Sequence, residues 1–136
     1  MAYFIPTMYN ITKPVGQGLP NLADDVRLVQ VLLTEFARSD FGWAPPTPLA
    51  VDGMYSENLR QWILAYQKRV QRAGYNVVAD GKVHPMPMKS KSDWSHEVGG
   101  YHSTMYSLNS GLLHWNREAH ANVADRLRLP CCFEVL

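Results

Sequence analysis

The chain has almost no cysteine, almost no excess charge and no long apolar run. Of its 136 residues only Cys131 and Cys132 carry thiols, and they are neighbours. Adjacent cysteines rarely close on each other, and no second pair exists to build a disulfide framework. This excludes a disulfide-stapled secreted scaffold and fits folding in a reducing compartment, with the two thiols buried and unreactive. Two thiolates also suit a metal, but no other ligand stands at a matching spacing. The formal net charge of +1 leaves no concentrated basic surface, so nucleic acid is not expected as a partner. Lys68, Arg69 and Arg72 do cluster, at a predicted helix end where cations complement the macrodipole. No segment is long and apolar enough for membrane insertion, and residues 1–14 lack the basic and apolar regions of a signal peptide. The expectation is synthesis in the cytoplasm without a signal peptide.

What is present is an ordinary globular composition, 46% hydrophobic and 18% charged, in a chain long enough to bury a core. Pro6, Pro14, Gly16, Gly18 and Pro20 mark residues 1–20 as an extended N-terminal arm with no period, expected to lie over the surface. Val26, Val29, Leu32, Leu33 and Phe36 then repeat at helical spacing, with N-cap candidates at 21–25 and a fade near 38–41. Pro45, Pro46 and Pro48 break the chain into a stiff loop. A second helix is predicted to start behind Ser56 and to bury Leu59, Trp62, Ile63, Tyr66 and Val70 before Gly74 ends it. Residues 75–78 suggest a short strand, and 84–102 an exposed polar loop inserted into the domain. Thr104, Met105 and Leu108 suggest a short helix. Leu112, Trp115, Ala119, Val123 and Leu127 suggest a last one, ending before Pro130. The fold class is mainly α, with one domain at 21–112 and a C-terminal helical extension at 113–136 packed on it.

Two Asp-Gly turns punctuate this series, Asp52-Gly53 in "PLAVDGMYSEN" and Asp80-Gly81 in "VVADGKVHP". Gly takes a positive φ without steric cost, and Asp bonds its own turn backbone. Such a turn aims the element that follows it and is not itself reactive. Gln30 and Gln67 each follow a core apolar position by one residue. A half-buried Gln there is suited to bonding the free backbone groups of a neighbouring turn.

"DVRLVQVLL", "LAVDGMYSENLRQWILAYQ" and "VVADGKVHP" together resemble the peptidoglycan-binding-like domain family, the small helical modules found beside many cell-wall hydrolases. Val29-Gln30, Val51-Asp52-Gly53, Tyr55, Ile63, Tyr66-Gln67 and Asp80-Gly81 match in order over residues 22–85, and "TMYSLN" at 104–109 resembles the helix that follows. Ser56, Leu59 and Trp62 depart from the Gly, Thr and small residue usual there. The resemblance implies a three-helix bundle that binds peptidoglycan fragments (muropeptides) without catalysis. By matching position it makes Asp52, Tyr55, Asn58 and Arg60 the ligand candidates. Arg60 would pair with a peptide carboxylate. The alternative is that Asp52 and Tyr55 only build the turn and Arg60 is a solvated helix residue. It further implies delivery to the cell wall or periplasm by a phage particle or a contractile injection apparatus such as a type VI secretion system.

No catalytic pattern stands out, and no cofactor or metal is expected. "HEVGGYH" opens like a zincin helix, but its second His lies six residues on rather than four. Asp93, His96 and His102 remain as loop ligands, with an exposed polar loop the stronger reading. His114 and His120 do not share a helical face. Glu118 and Asp125 share one, but two helical turns span about 10.5 Å and imply no cleft. The second functional expectation is a structural or adaptor protein of such an assembly, meeting a protein partner with Trp43, Trp94 or Trp115 as interface anchors.

Overall fold

The computed structural model describes residues 8–40, 42–90, 93–94, 97–98, 100–123, 127 and 134–135, without the side chains of 88–90, 93–94, 97–98, 115 and 134–135. Among these residues the chain is mainly helical, with four helices and only short strand pairs. The helices are α1 (Ala23–Ser39), α2 (Glu57–Arg72), α3 (Thr104–Trp115) and α4 (Arg117–Ala121). The strands are β1 (Met8–Tyr9), β2 (Met88–Ser90), β3 (Asp93–Trp94), β4 (Glu97–Val98), β5 (Tyr101–His102) and β6 (Glu134–Val135). They pair antiparallel as β1–β6, β2–β3 and β4–β5.

Helices α1 and α2 form where the apolar period places them. Val26, Val29, Leu32, Leu33 and Phe36 of α1 and Leu59, Trp62, Ile63, Tyr66 and Val70 of α2 are all buried. Ser56 caps α2, its hydroxyl accepting the Leu59 N–H at 3.1 Å. Gly74, at φ 101°, follows its last turn, and the Tyr75 amide bonds Val70 O at 3.1 Å. Helix α1 has no side-chain cap, because its candidates work elsewhere. Asn21 closes a loop by bonding both the N–H and the C=O of Gly16 at 2.8 Å. Asp25 accepts the amides of Thr12 and Lys13 at 2.9 and 3.0 Å.

From Met8 to Val15 the N-terminal arm sends apolar side chains into the core rather than lying wholly over it. Met8, Tyr9, Ile11 and Val15 are buried. Distant side chains satisfy its backbone, so no local period reveals it. Asn109 of α3, fully buried, accepts the Tyr9 N–H and donates to Tyr9 O, both at 2.8 Å. Val15 and Val83 exchange backbone hydrogen bonds of 2.9 and 2.8 Å. The Tyr9 hydroxyl donates to His120 O at 2.8 Å.

Further expectations are corrected. Residues 75–78 form no strand. The inserted segment holds two small hairpins, β2–β3 and β4–β5, where a loop was expected. Helix α3 runs unbroken past the 112/113 boundary, and the final helical run breaks at Asn116. There the backbone turns extended (φ −154°, ψ 83°) so that the Asn side chain can cap α4 through Ala119 N–H at 3.0 Å. Trp43 is no surface anchor: it is buried against Phe36, Trp62 and Tyr66, with ring centroids 5.5–6.0 Å apart. Cys131, Cys132, His96 and Asp125, and the side chains of Asp93, Trp94 and Trp115, lie outside the described set.

Each Asp-Gly turn is held by a glutamine of the preceding long helix. At the first, buried Gln30 accepts the amides of Asp52 (3.0 Å) and Gly53 (2.9 Å) on Oε1. Its Nε2 donates to Asp52 Oδ1 (2.9 Å) and Met54 O (3.3 Å). At the second, Gln67 accepts the Gly81 amide (2.8 Å) and donates to Lys82 O (2.9 Å), Asp80 Oδ1 (3.3 Å) and Thr104 Oγ1 (3.1 Å). In both turns the Asp carboxylate also accepts the amide two residues on, Met54 at 2.9 Å and Lys82 at 3.0 Å. The glycines adopt φ 74° and 72°, the left-handed region that favours glycine.

Gln67→Leu strands the buried Gly81 N–H. It is expected to lower the unfolding free energy in a denaturant titration by about 1–3 kcal/mol, the cost of one unsatisfied buried donor. Unchanged stability would remove the clasp from the account. A second expectation concerns His120. Asn109 Nδ2 donates to Tyr9 O and Met105 O, so its Oδ1 is the acceptor and the 3.0 Å contact requires a proton on His120 Nε2. Burial, aided by Arg117 nearby, lowers the His120 pKa from 6.5 to about 4. Between those values the unfolded chain binds a proton that the folded chain refuses. The His120 contribution is therefore complete above about pH 6.5 and is lost as pH falls toward 4. The denaturation midpoint should fall from pH 7 to pH 4.5, and fall less in His120→Gln; equal slopes would contradict the assignment.

Candidate functional site

Of the four residues singled out around the first turn, Asp52, Asn58 and Arg60 are engaged locally. Asp52 is exposed, and the Met54 N–H followed by the Gln30 amide holds its carboxyl below the usual range. Tyr55 is half-buried, and burial followed by the charge of Glu57 raises its pKa. Its hydroxyl oxygen has no hydrogen-bond partner among the described residues. Asn58 donates to Pro48 O at 3.0 Å, which ties the Pro-rich loop to the start of α2. Arg60 pairs with Glu57 at 3.0 Å. Its stem lies so close to the second turn that a Cβ on Gly81 would meet Arg60 Cγ at 3.3 Å. Both described cavities are lined by other residues.

The larger cavity, about 530 Å³, opens between the C-terminal half of α2 and α3. Phe36, Tyr66, Val70 and Gly111 supply apolar lining, and Arg69, Ser107, Ser110 and His114 supply polar groups. Tyr75, His102 and Tyr106 also line it. Several features fix its walls. The Phe36 and Tyr66 rings meet edge to face at 5.1 Å. The Tyr66 hydroxyl and Ser107 Oγ share a 2.7 Å hydrogen bond, and full burial raises the Tyr66 pKa well above its ordinary value. Arg69 is oriented by Asp40, whose Oδ2 accepts from Nε at 3.1 Å and pairs with Nη2 at 2.9 Å. Gly111 lets α3 approach α1, since a Cβ there would fall 2.5 Å from the Phe36 ring.

A smaller cavity of about 200 Å³ is lined by Val78, Asp80, Lys82, His84, Tyr101, His102, Ser103 and Thr104. His102 borders both cavities. Its amide donates to Asn76 O at 2.9 Å and its Nδ1 accepts the Asn76 N–H at 3.3 Å, which leaves the proton of the neutral ring on Nε2. Its ring meets Tyr75 edge to face at 5.8 Å. This backbone pairing ties the turn after α2 to β5 and holds the two cavities side by side.

Sequence reasoning named Arg69 only as a helix-end cation and left Tyr75, Ser110 and Gly111 unremarked. Gly111 falls between the two helical stretches expected on Thr104–Leu108 and from Leu112, where a glycine reads as a break and gives no signal of close approach. Among the described residues no group of three His, Cys, Asp or Glu side chains is placed to hold a metal, and no helix is long and apolar enough to cross a membrane. No family model, curated protein or solved structure matches the chain.

Proposed function

We propose that the chain is a non-catalytic recognition module for peptidoglycan fragments, built as a peptidoglycan-binding-like helical bundle and binding in the cleft between α2 and α3. The observation that carries this reading is the cleft itself. At about 530 Å³ it falls in the range of ligand sites, roughly 300–1,000 Å³. It sets aromatic rings beside hydroxyl, imidazole and guanidinium groups. A muropeptide offers sugar faces, amides and carboxylates, which match that lining in kind. Phe36 and Tyr66 supply the apolar lining, Ser110 a hydroxyl, and Arg69 a fork with N–H groups beyond those that meet Asp40. The motif series at 22–85 supports the same reading. Asp52, Tyr55, Asn58 and Arg60 then serve the turn and the start of α2, and the ligand sits away from them. Delivery to the cell wall by a phage particle or contractile apparatus belongs to this proposal.

A second reading, a structural or adaptor protein in such an assembly, is favoured by the surface around the first turn. Leu22, Val51 and Met54 are exposed there, Met54 at 68%. A Cβ on Gly53 would meet Ala23 O at 3.0 Å, so this turn abuts the start of α1 next to Leu22. Exposed apolar side chains grouped at one turn suit a protein partner.

Sedimentation with purified insoluble peptidoglycan separates the two. The chain is expected to co-sediment at low salt, and Ser110→Trp, which fills the cleft, is expected to abolish retention while circular dichroism stays unchanged. Retention lost instead on Tyr55→Ala would move the site to the first turn. No retention of the native chain would overturn the binding reading and favour the adaptor.

A further inference from the structure

The exposed aromatic side chains near the cleft are not scattered. Tyr75 is 55% exposed and lines the larger cavity; Tyr101 is 47% exposed and lines the smaller. His102 stands between them, bordering both, and its backbone and ring are pinned by Asn76. The two cavities share His102 as a lining residue, with a tyrosine in each, Arg69 lining the larger and Lys82 the smaller, and together they offer a candidate track.

Resting on the peptidoglycan reading above, we propose that this track takes the glycan of the ligand rather than its peptide stem, with an oligosaccharide laid across both cavities over His102. Three features of the lining select a sugar chain. A pyranose ring has an apolar C–H face and a polar rim, so it needs an aromatic face together with donors and acceptors at its edge. Tyr75 and Tyr101 supply one aromatic ring in each half of the track. Ser110 in the larger cavity and Ser103, Thr104 and Lys82 in the smaller supply hydroxyls and a cation along the edges. A single ring would fill only one cavity, so occupancy of both requires a chain of linked sugars. A peptide strand would instead call for an open backbone edge. The backbone beside the cleft is already committed, since His102 N–H is given to Asn76 O and Tyr101 pairs with Val98.

The probes are the monomer and the β-1,4-linked trimer of N-acetylglucosamine, which carry no peptide, and muramyl dipeptide, which carries one sugar and a short stem. Binding is followed by calorimetry or by chemical-shift changes on the full chain. The trimer is expected to bind at least tenfold more tightly than the monomer, with shifts at Tyr75, Tyr101 and His102 together. Tyr75→Ala and Tyr101→Ala are each expected to weaken the trimer at least fivefold, while Tyr75→Trp retains binding. Both tyrosines are exposed, so these variants should keep the native unfolding midpoint. Equal affinity for monomer and trimer would overturn the extended pose. Binding of muramyl dipeptide and of insoluble peptidoglycan without binding of the trimer would overturn the glycan assignment and leave the recognition reading standing. Failure of all of them, insoluble peptidoglycan included, would remove both.

Discussion

A carboxamide has two acceptor lone pairs and two donor protons, and a buried one is stable only when they find partners. Gln30 and Gln67 meet that requirement in the same way. Each reaches from a long helix into an Asp-Gly turn, accepts the glycine amide, and returns its own protons to the Asp carboxylate and the carbonyl that follows glycine. The arrangement couples three things that could otherwise vary independently: the register of the helix, the left-handed glycine, and the direction in which the chain leaves the turn. The first clasp aims the chain toward α2. The second sends it past Val83, where it pairs with Val15 of the arm, and through Thr104 Oγ1 it also touches the first residue of α3. Positions of α1, α2, α3 and the arm are thus referred to two side chains.

A second set of polar contacts closes the structure from the other side. Asn109 joins α3 to β1, and His120 joins α4 to Asn109, with the Tyr9 ring tilted 50° against the imidazole at 4.9 Å. The imidazole donates Nε2–H to Asn109 whether neutral or charged, but burial beside Arg117 disfavours the charged ring, and that is what links fold stability to pH. With both ends fixed, the cleft between α2 and α3 is largely pre-formed. Its lining rests on Phe36, Tyr66 and Ser107, and Arg69 is set by Asp40. Preformed walls limit the ordering cost of binding.

Helices α1 and α2 were legible because their burial follows a 3.6-residue period over four turns, which no loop imitates. The two turns were legible because Asp-Gly has few other uses, and the glutamines because each sits beside a core position. The arm was not legible. Its extended backbone is satisfied by Asn109, 100 residues from Tyr9, and by Asp25, which in sequence looks like a helix cap. The break at Asn116 was missed because the apolar residues on either side keep nearly the same period, while one capping side chain decides the outcome. The cleft was missed for a different reason. Arg69, Tyr75, His102 and Ser110 come from four separate stretches, and the local patterns that hold Arg69 and His102, a basic helix end and a failed zincin sequence, do not point to one another. By contrast, Asp52, Tyr55, Asn58 and Arg60 stand close together in sequence, yet their contacts run to Gln30, Pro48, Glu57 and the second turn.

Amide hydrogen exchange at Gly53 and Gly81 tests the clasps most directly. Both glycines lie in turns, where exchange is ordinarily fast, and only the carbonyl oxygens of Gln30 and Gln67 hold their protons. Protection of both amides comparable to that of Ile63 in the middle of α2, lost only with global unfolding, is the expected result. Rapid exchange of either glycine while Ile63 stays protected would show that the turns are not held by the glutamines, and the account of how this fold is positioned would fail.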